Sequence, residues 1–167
     1  MTYIKVIFFM PVILVLGFLT NAYGQKESKN IDFVLLINED VYNQYAKFKL
    51  IKYHNGKEED VLATYWPGNL SIPIADYEKL LNENADSIFL SINDDRYIDG
   101  KESHDQYIIE YKKQWLEDTY NILRVYNLDK KKYAKLFNHT LKGKNYVYEL
   151  DSPCHTFRLV RKTSNYK

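Results

Sequence analysis

Cysteine is nearly absent from this 167-residue chain, whose one thiol, Cys154, excludes an intramolecular disulfide framework. Glycine and proline are also sparse, at six and four, beside sixteen tyrosines; that balance argues against disorder and against a glycine-rich fibre. No charge of one sign dominates. The chain carries 23 Lys and Arg against 22 Asp and Glu, so non-specific attraction to nucleic acid or to an anionic membrane is not favoured. Arginine is scarce, four against 19 lysines, a bias that AT-rich codons produce without functional selection.

Long hydrophobic runs are missing too. A spanning helix needs roughly 20 apolar residues, whereas the run from Val6 to Leu19 has 14 and contains Pro11. With Lys5 before it and the small residues Ala22 and Gly24 after it, the run reads as a secretory signal peptide over residues 1–24, cleaved after Gly24. An uncleaved N-terminal anchor is the alternative. No cysteine lies near the end of the run, which excludes a lipid-modified cysteine. Cleavage removes Lys5 and no acid, leaving 22 basic and 22 acidic residues. The expected product is exported, periplasmic or extracellular, and has no integral membrane segment.

What is present is one domain's worth of short apolar segments. Residues 25–30, "QKESKN", lack apolar periodicity and read as a flexible leader before a single domain at 31–167. "FVLLIN", Phe33 to Asn38, is a strand candidate. The clearest local signal is Asn55-Gly56, whose two residues suit the positive-φ positions of a tight hairpin turn. A two-residue turn there predicts Phe48 opposite Ala63, Leu50 opposite Val61 and Lys52 opposite Glu59, with one buried face. Downstream, "LSIPI" is extended. "ADYEKLLNENA" has helical spacing, with Asp76 as a candidate cap, and "SIFLSIN" alternates through Ile88, Leu90 and Ile92. "YVYEL" and "TFRLVR" are further strand candidates, separated by the turn-like "DSPCH".

Residues 107–127 support two periodicities. A helix would align Ile108, Tyr111, Trp115, Thr119, Ile122 and Tyr126, but the segment has no alanine and is rich in weak helix formers. Two strands joined at "EDT" fit the composition better, with Tyr107, Ile109, Tyr111 and Trp115 sharing a face. The whole chain then reads as mainly β, an antiparallel β-sandwich built from hairpins with one or two short helices. In strand spacing and in the "GNLSIP" run it resembles transthyretin-like or carboxypeptidase regulatory-like sandwich modules of exported bacterial proteins, immunoglobulin-like in outline. The resemblance implies a sandwich and carries over no functional residue.

Chemistry-bearing motifs are weak. Cys154 and His155 are sequence neighbours, which on a strand point to opposite faces, and no third orienting group is identifiable. His54, His104, His139 and His155 occur singly and match no metal-ligand spacing. In "NDDRYIDGKESHD", Asp95, Asp99 and Gly100 match calcium-loop positions, but Tyr97 and Gln106 break the pattern; an ordinary solvated loop is the simpler reading. Lys130 to Lys132 with Lys135 form a solvated face rather than a polyanion site. No catalytic residue, metal site or cofactor is called for. The remaining candidates are aromatic: Trp66, Tyr65, Tyr111 and Trp115 could stack a ligand, although such residues also fill cores. The chain thus reads as a non-enzymatic binding or accessory module for a protein or carbohydrate. One rival is a small hydrolase assembled from Asp94, Asp95, His104 and His155. The other is a protector that binds a toxin or enzyme through a sheet edge.

Overall fold

The computed structural model describes residues 27–82, 87–98, 100–138 and 141–162; the expected signal peptide and His139 lie outside them. Among the described residues the chain runs β1 (Ser28–Ile37), β2 (Asp40–Val41), β3 (Ala46–His54), β4 (Lys57–Trp66), β5 (Gly68–Pro73), α1 (Ile74–Asn82), β6 (Ser87–Ile98) and β7 (Lys101–Glu110). A 3-10 turn (Lys113–Leu116), β8 (Tyr120–Asn127), α2 (Lys131–Leu136) and β9 (Tyr146–Asp151) follow. No helix among these residues is long and apolar enough to cross a membrane.

The hairpin read from Asn55-Gly56 forms in the predicted register, with Phe48 paired to Ala63, Leu50 to Val61 and Lys52 to Glu59. Both turn residues have positive φ, 51° at Asn55 and 72° at Gly56. Alternation then buries Phe48, Leu50, Val61 and Ala63 together. Lys52 is buried on the same face, and its Nζ reaches Glu59 Oε2 at 3.0 Å.

All nine strands belong to one sheet, in the order β7-β6-β3-β4-β5-β1-β8-β9, with β2 appended to β1. It curls into a nearly closed barrel-like shape, not clearly a sandwich. The fold is mainly β, but the expected division into two antiparallel layers gives way to a single mixed sheet. The cause is β1. Its first half pairs antiparallel with β5, from Ser28 opposite Pro73 to Phe33 opposite Gly68. Its second half pairs parallel with β8, from Asp32 opposite Tyr120 to Ile37 opposite Val125. No hairpin pattern encodes that second pairing. It also corrects the reading of 107–127: β7 and β8 are two strands, but β7 pairs with β6 and β8 with β1 and β9, so they form no hairpin together.

Inward side chains from every long strand make one core, including Phe33, Leu35, Leu50, Tyr65, Leu90, Tyr107, Leu123 and Tyr146. Tyr77 and Leu80 of α1 join it beside Trp115 and Leu116. A smaller cluster forms outside the sheet, where Tyr133 and Phe137 cover Tyr126 and Val147. The two edge strands meet through one side chain. Tyr146 Oη of β9 donates to Ile108 O of β7 at 2.7 Å and accepts from Ile108 N at 2.8 Å. Those are the backbone groups an edge strand otherwise leaves open.

Four local expectations change. Ser28 to Asn30, read as leader, pair with β5. The acidic "loop" is mostly ladder, since Asp95 pairs with His104 and Ile98 with Lys101. Asp76 lies in the first turn of α1, which begins at Ile74, and so is not its cap. "TFRLVR" forms only isolated bridges, Phe157 with Leu150 and Arg161 with Phe137.

Replacing Gly56 by Val should lower the unfolding free energy by on the order of 1 kcal/mol or more, because a β-branched residue resists positive φ. An unchanged urea midpoint would contradict the turn. Tyr146→Phe keeps the ring but unpairs the Ile108 N–H and C=O, a loss of about 1–3 kcal/mol. Hydrogen exchange at the Ile108 amide should accelerate in that variant beyond the change in its β7 neighbours.

Candidate functional site

Strand parity separates the four aromatic candidates. Tyr65 and Trp66 are adjacent on β4, so one ring enters the core and the other faces solvent. Tyr65 is fully buried, stacks on Phe48 at 5.0 Å between centroids, and donates its hydroxyl to Tyr42 O at 2.8 Å. Tyr111 and Trp115 are also buried, edge-to-face at 5.4 Å. Burial pushes the Tyr111 phenol well above its ordinary pKa, with the Asp118 charge adding to the effect. These three are core residues rather than ligand platforms.

Trp66 is different, with 56% of its surface exposed. Its partner is Tyr45, a residue the sequence reading passed over, 49% exposed and 4.7 Å from Trp66 between ring centroids at an angle of 57°. The signal for Tyr45 was available in the hairpin register. With Ala46 opposite Tyr65, one further step brings Tyr45 to the level of Trp66. Polar side chains surround the pair. Asn69 of β5 is opposite Trp66, Thr64 lies on the same face of β4, and Lys47 is opposite Thr64. Leu62, exposed, continues the apolar stripe along β4.

The residues proposed for a hydrolase do not converge. Asp95 Oδ1 and His104 Nδ1 meet at 2.9 Å, but both side chains are 67% exposed on the outer face of the β6–β7 ladder. Glu102 adds a second contact at 3.4 Å, and these carboxylates raise the imidazole pKa above its ordinary value. Asp94 points the other way, into the barrel. His155 lies beyond β9, where Nδ1 is 3.4 Å from Asp118 Oδ2. Asp118 is thus the orienting group that the Cys154–His155 pair lacked in sequence. Even so, Cys154 is exposed and free, and no hydrogen bond joins it to His155 among the described residues. Lys132 pairs with Glu39, and the lysine cluster stays on the exposed side of α2.

Inward polar groups instead build a network in the barrel. Arg96 binds Asp94 bidentately, Nε to Oδ1 at 2.5 Å and Nη2 to Oδ2 at 2.8 Å, with its guanidinium 5.6 Å from the Tyr42 ring centre. Burial opposes the Arg96 charge, but Asp94 outweighs it and holds the pKa above the usual value. Opposite Asp94, Asp105 Oδ2 accepts from Ser103, Tyr107 and Asn127 at 3.2, 3.4 and 3.3 Å. Each carboxylate is already engaged, so the cluster fits a structural role. Among the described residues no group of three or more His, Cys, Asp or Glu side chains is arranged to hold a metal ion.

The buried aromatic pair yields a contrast in stability. Tyr111 Oη and Trp115 Nε1 have no hydrogen-bond partner among the described residues. Trp115→Ala should cost about 3–5 kcal/mol, whereas Tyr111→Phe, which deletes an unpaired buried hydroxyl, should be neutral or stabilising. Chemical denaturation of both variants checks the pair; equal losses would show that the hydroxyl is engaged. Comparisons of the chain with family models, with curated proteins and with solved structures found no match.

Proposed function

We propose that this chain is an exported, non-enzymatic binding module that holds a carbohydrate against Trp66 and Tyr45. The observation that carries this reading is that the two rings pack together while each leaves about half its surface in solvent. Burying them would be favourable, since each ring offers roughly 150–250 Å² of contact. Their exposed halves together therefore present roughly 200 Å². That is far below the ~800 Å² per partner of a stable protein interface, and it suits the apolar face of one or two sugar rings. Thr64, Lys47 and Asn69 supply hydrogen-bonding groups at the rim, as sugar hydroxyls require.

The protector reading has less support, because the sheet edges it would use face each other across Tyr146. The hydrolase reading is weakened because Asp94 and His155 lie apart from the exposed Asp95–His104 pair.

Trp66 and Trp115 are the only tryptophans, and Trp115 is buried, so quenching of emission by iodide reports mainly on Trp66. Titration with soluble gluco-, manno-, xylo- and chito-oligosaccharides should protect Trp66 from iodide for at least one class. Trp66→Ala should weaken that binding by about tenfold or more, equivalent to ~1.4 kcal/mol. Undiminished binding by the variant, or no response to any sugar, would refute the proposal.

A further inference from the structure

Arginine placement points to a second site, on strands that do not neighbour β3 or β4. Arg124 and Tyr126 of β8 and Glu149 of β9 share the outer face of the sheet, with Arg124 directly opposite Glu149. After β9 the chain turns at Ser152, whose Oγ donates to His155 O at 2.5 Å and accepts from His155 N at 3.1 Å. It then returns as a strap along the free edge of β9 to the end of α2. Phe157 exchanges backbone hydrogen bonds with Leu150 at 2.7 and 2.9 Å, and Lys162 N donates to Leu136 O at 2.8 Å. Between floor and strap lies a cavity of about 340 Å³ lined by Arg124, Tyr126, Glu149, Arg158, Leu159 and Arg161.

Three of the chain's four arginines therefore line one cleft, and among the described residues no lysine does, although lysines outnumber arginines 19 to four. If positive charge alone were required, this composition would supply lysine. A planar guanidinium differs in offering forked N–H donors that match oxyanions.

The acids nearby leave those donors largely unused. Glu149 spends one oxygen on the strap, accepting from Leu159 N at 3.2 Å, and the other on the floor, accepting from Tyr126 Oη at 3.1 Å. Burial and the Glu149 charge push the Tyr126 phenol up to about 12, so it stays a neutral donor. One oxygen of Asp151 serves two arginines, Arg158 at 3.3 Å and Arg124 at 3.7 Å, while the other accepts from Thr156 Oγ1 at 3.2 Å. Arg161 has no carboxylate within ion-pair distance among the described residues. Glu149 and Asp151 are thus the carboxylates in direct contact with the cleft, Glu39 interacts with Arg161 only through its charge at longer range, and guanidinium N–H groups remain available.

We infer that this cleft binds a small molecule through a tetrahedral oxyanion, a phosphate or sulfate ester. A planar carboxylate presents two oxygens, which one guanidinium fork satisfies; floor and strap together offer three forks, which suits an anion with oxygens in several directions. The cavity falls in the size range of small-molecule sites and exceeds what a bare ion fills, leaving room for the body of the ligand.

The test uses inorganic phosphate, sulfate and acetate, each against sodium chloride at matched ionic strength, with the full-length protein. Phosphate or sulfate should raise the melting temperature and shift the amide signals of Leu159 and Arg161, and whichever binds tighter identifies the ester class. Acetate should act about tenfold more weakly or not at all. Arg161→Gln should weaken binding about tenfold or more while the unliganded melting temperature stays put, and Arg161→Lys should not restore wild-type affinity. Three results would overturn the inference: stabilisation no greater than that given by chloride, wild-type binding by Arg161→Gln, or full rescue by lysine. The amide shifts of the unmutated protein decide the matter should a variant fold poorly.

Discussion

The parallel ladder between β1 and β8 is the constraint on which the architecture rests. From β7 to β5 the sheet contains only antiparallel pairs, and β8 with β9 is another such pair. Without the six residue pairs from Asp32–Tyr120 to Ile37–Val125, these would be two separate ribbons. Chain closure entropy rises only slowly with loop length, about 0.6 kcal/mol per doubling, so a distant partner is thermodynamically affordable. The penalty is kinetic instead, because non-local pairing slows folding. Phe33, Leu35 and Ile37, all fully buried on β1, supply the apolar surface that makes this pairing worthwhile.

Closure also accounts for the tyrosine content. A curled sheet needs large side chains to fill its interior, and its turns and edges leave backbone carbonyls without ladder partners. Tyrosine answers both demands. Tyr65 donates to Tyr42 O, Tyr77 to Leu116 O, Tyr133 to Asn38 O and Tyr146 to Ile108 O. Tyr133 acts where strain is greatest, at the turn between β1 and β2, where Asn38 and Glu39 have φ of 57° and 74°. Glu39 lacks glycine's tolerance of that conformation, and the turn is held from several sides. Val125 O accepts from Asn38 N, Asn38 Oδ1 accepts from Asn127 N, and Lys132 pairs with Glu39.

What the sequence made legible was local. Asn55-Gly56 specified a turn type, the turn type specified a register, and the register placed Phe48, Leu50, Val61 and Ala63 in the core. The turn before β7 was hidden by reading the acidic segment as an ordinary solvated loop, although Gly100 takes a positive φ, 79°. The partners of β1 were not legible, because the hydrophobic pattern of a strand says which face is buried and not which strand lies alongside. The same limit governs the sites. Parity along β4 could have told Trp66 from Tyr65, but the arginine cleft exists only because the segment after β9 returns along β9 to the end of α2, and "TFRLVR" carries no signal for that path.

The filled interior bears on where ligands bind. Barrels that carry ligands inside leave a cavity among their inward residues. Here that space holds Phe33, Phe48, Tyr65, Tyr107, Tyr111 and Tyr146, all essentially without solvent exposure, and its polar part is closed by the Arg96–Asp94 pair and by Asp105 with its three donors. A ligand entering there would have to break a buried ion pair, which costs more than a small molecule's contacts typically return. The proposed binding roles therefore fall to the outer surface, where the sheet alone offers only alternating side chains. The two places proposed above as sites are built by additions to the ladder. Tyr45 extends the hairpin past its last pair to meet Trp66, and the segment after β9 adds a wall above Arg124. Both arise where chain outside regular pairing covers a regular strand, so the rigid ladder fixes one side of each site and the added segment sets its shape.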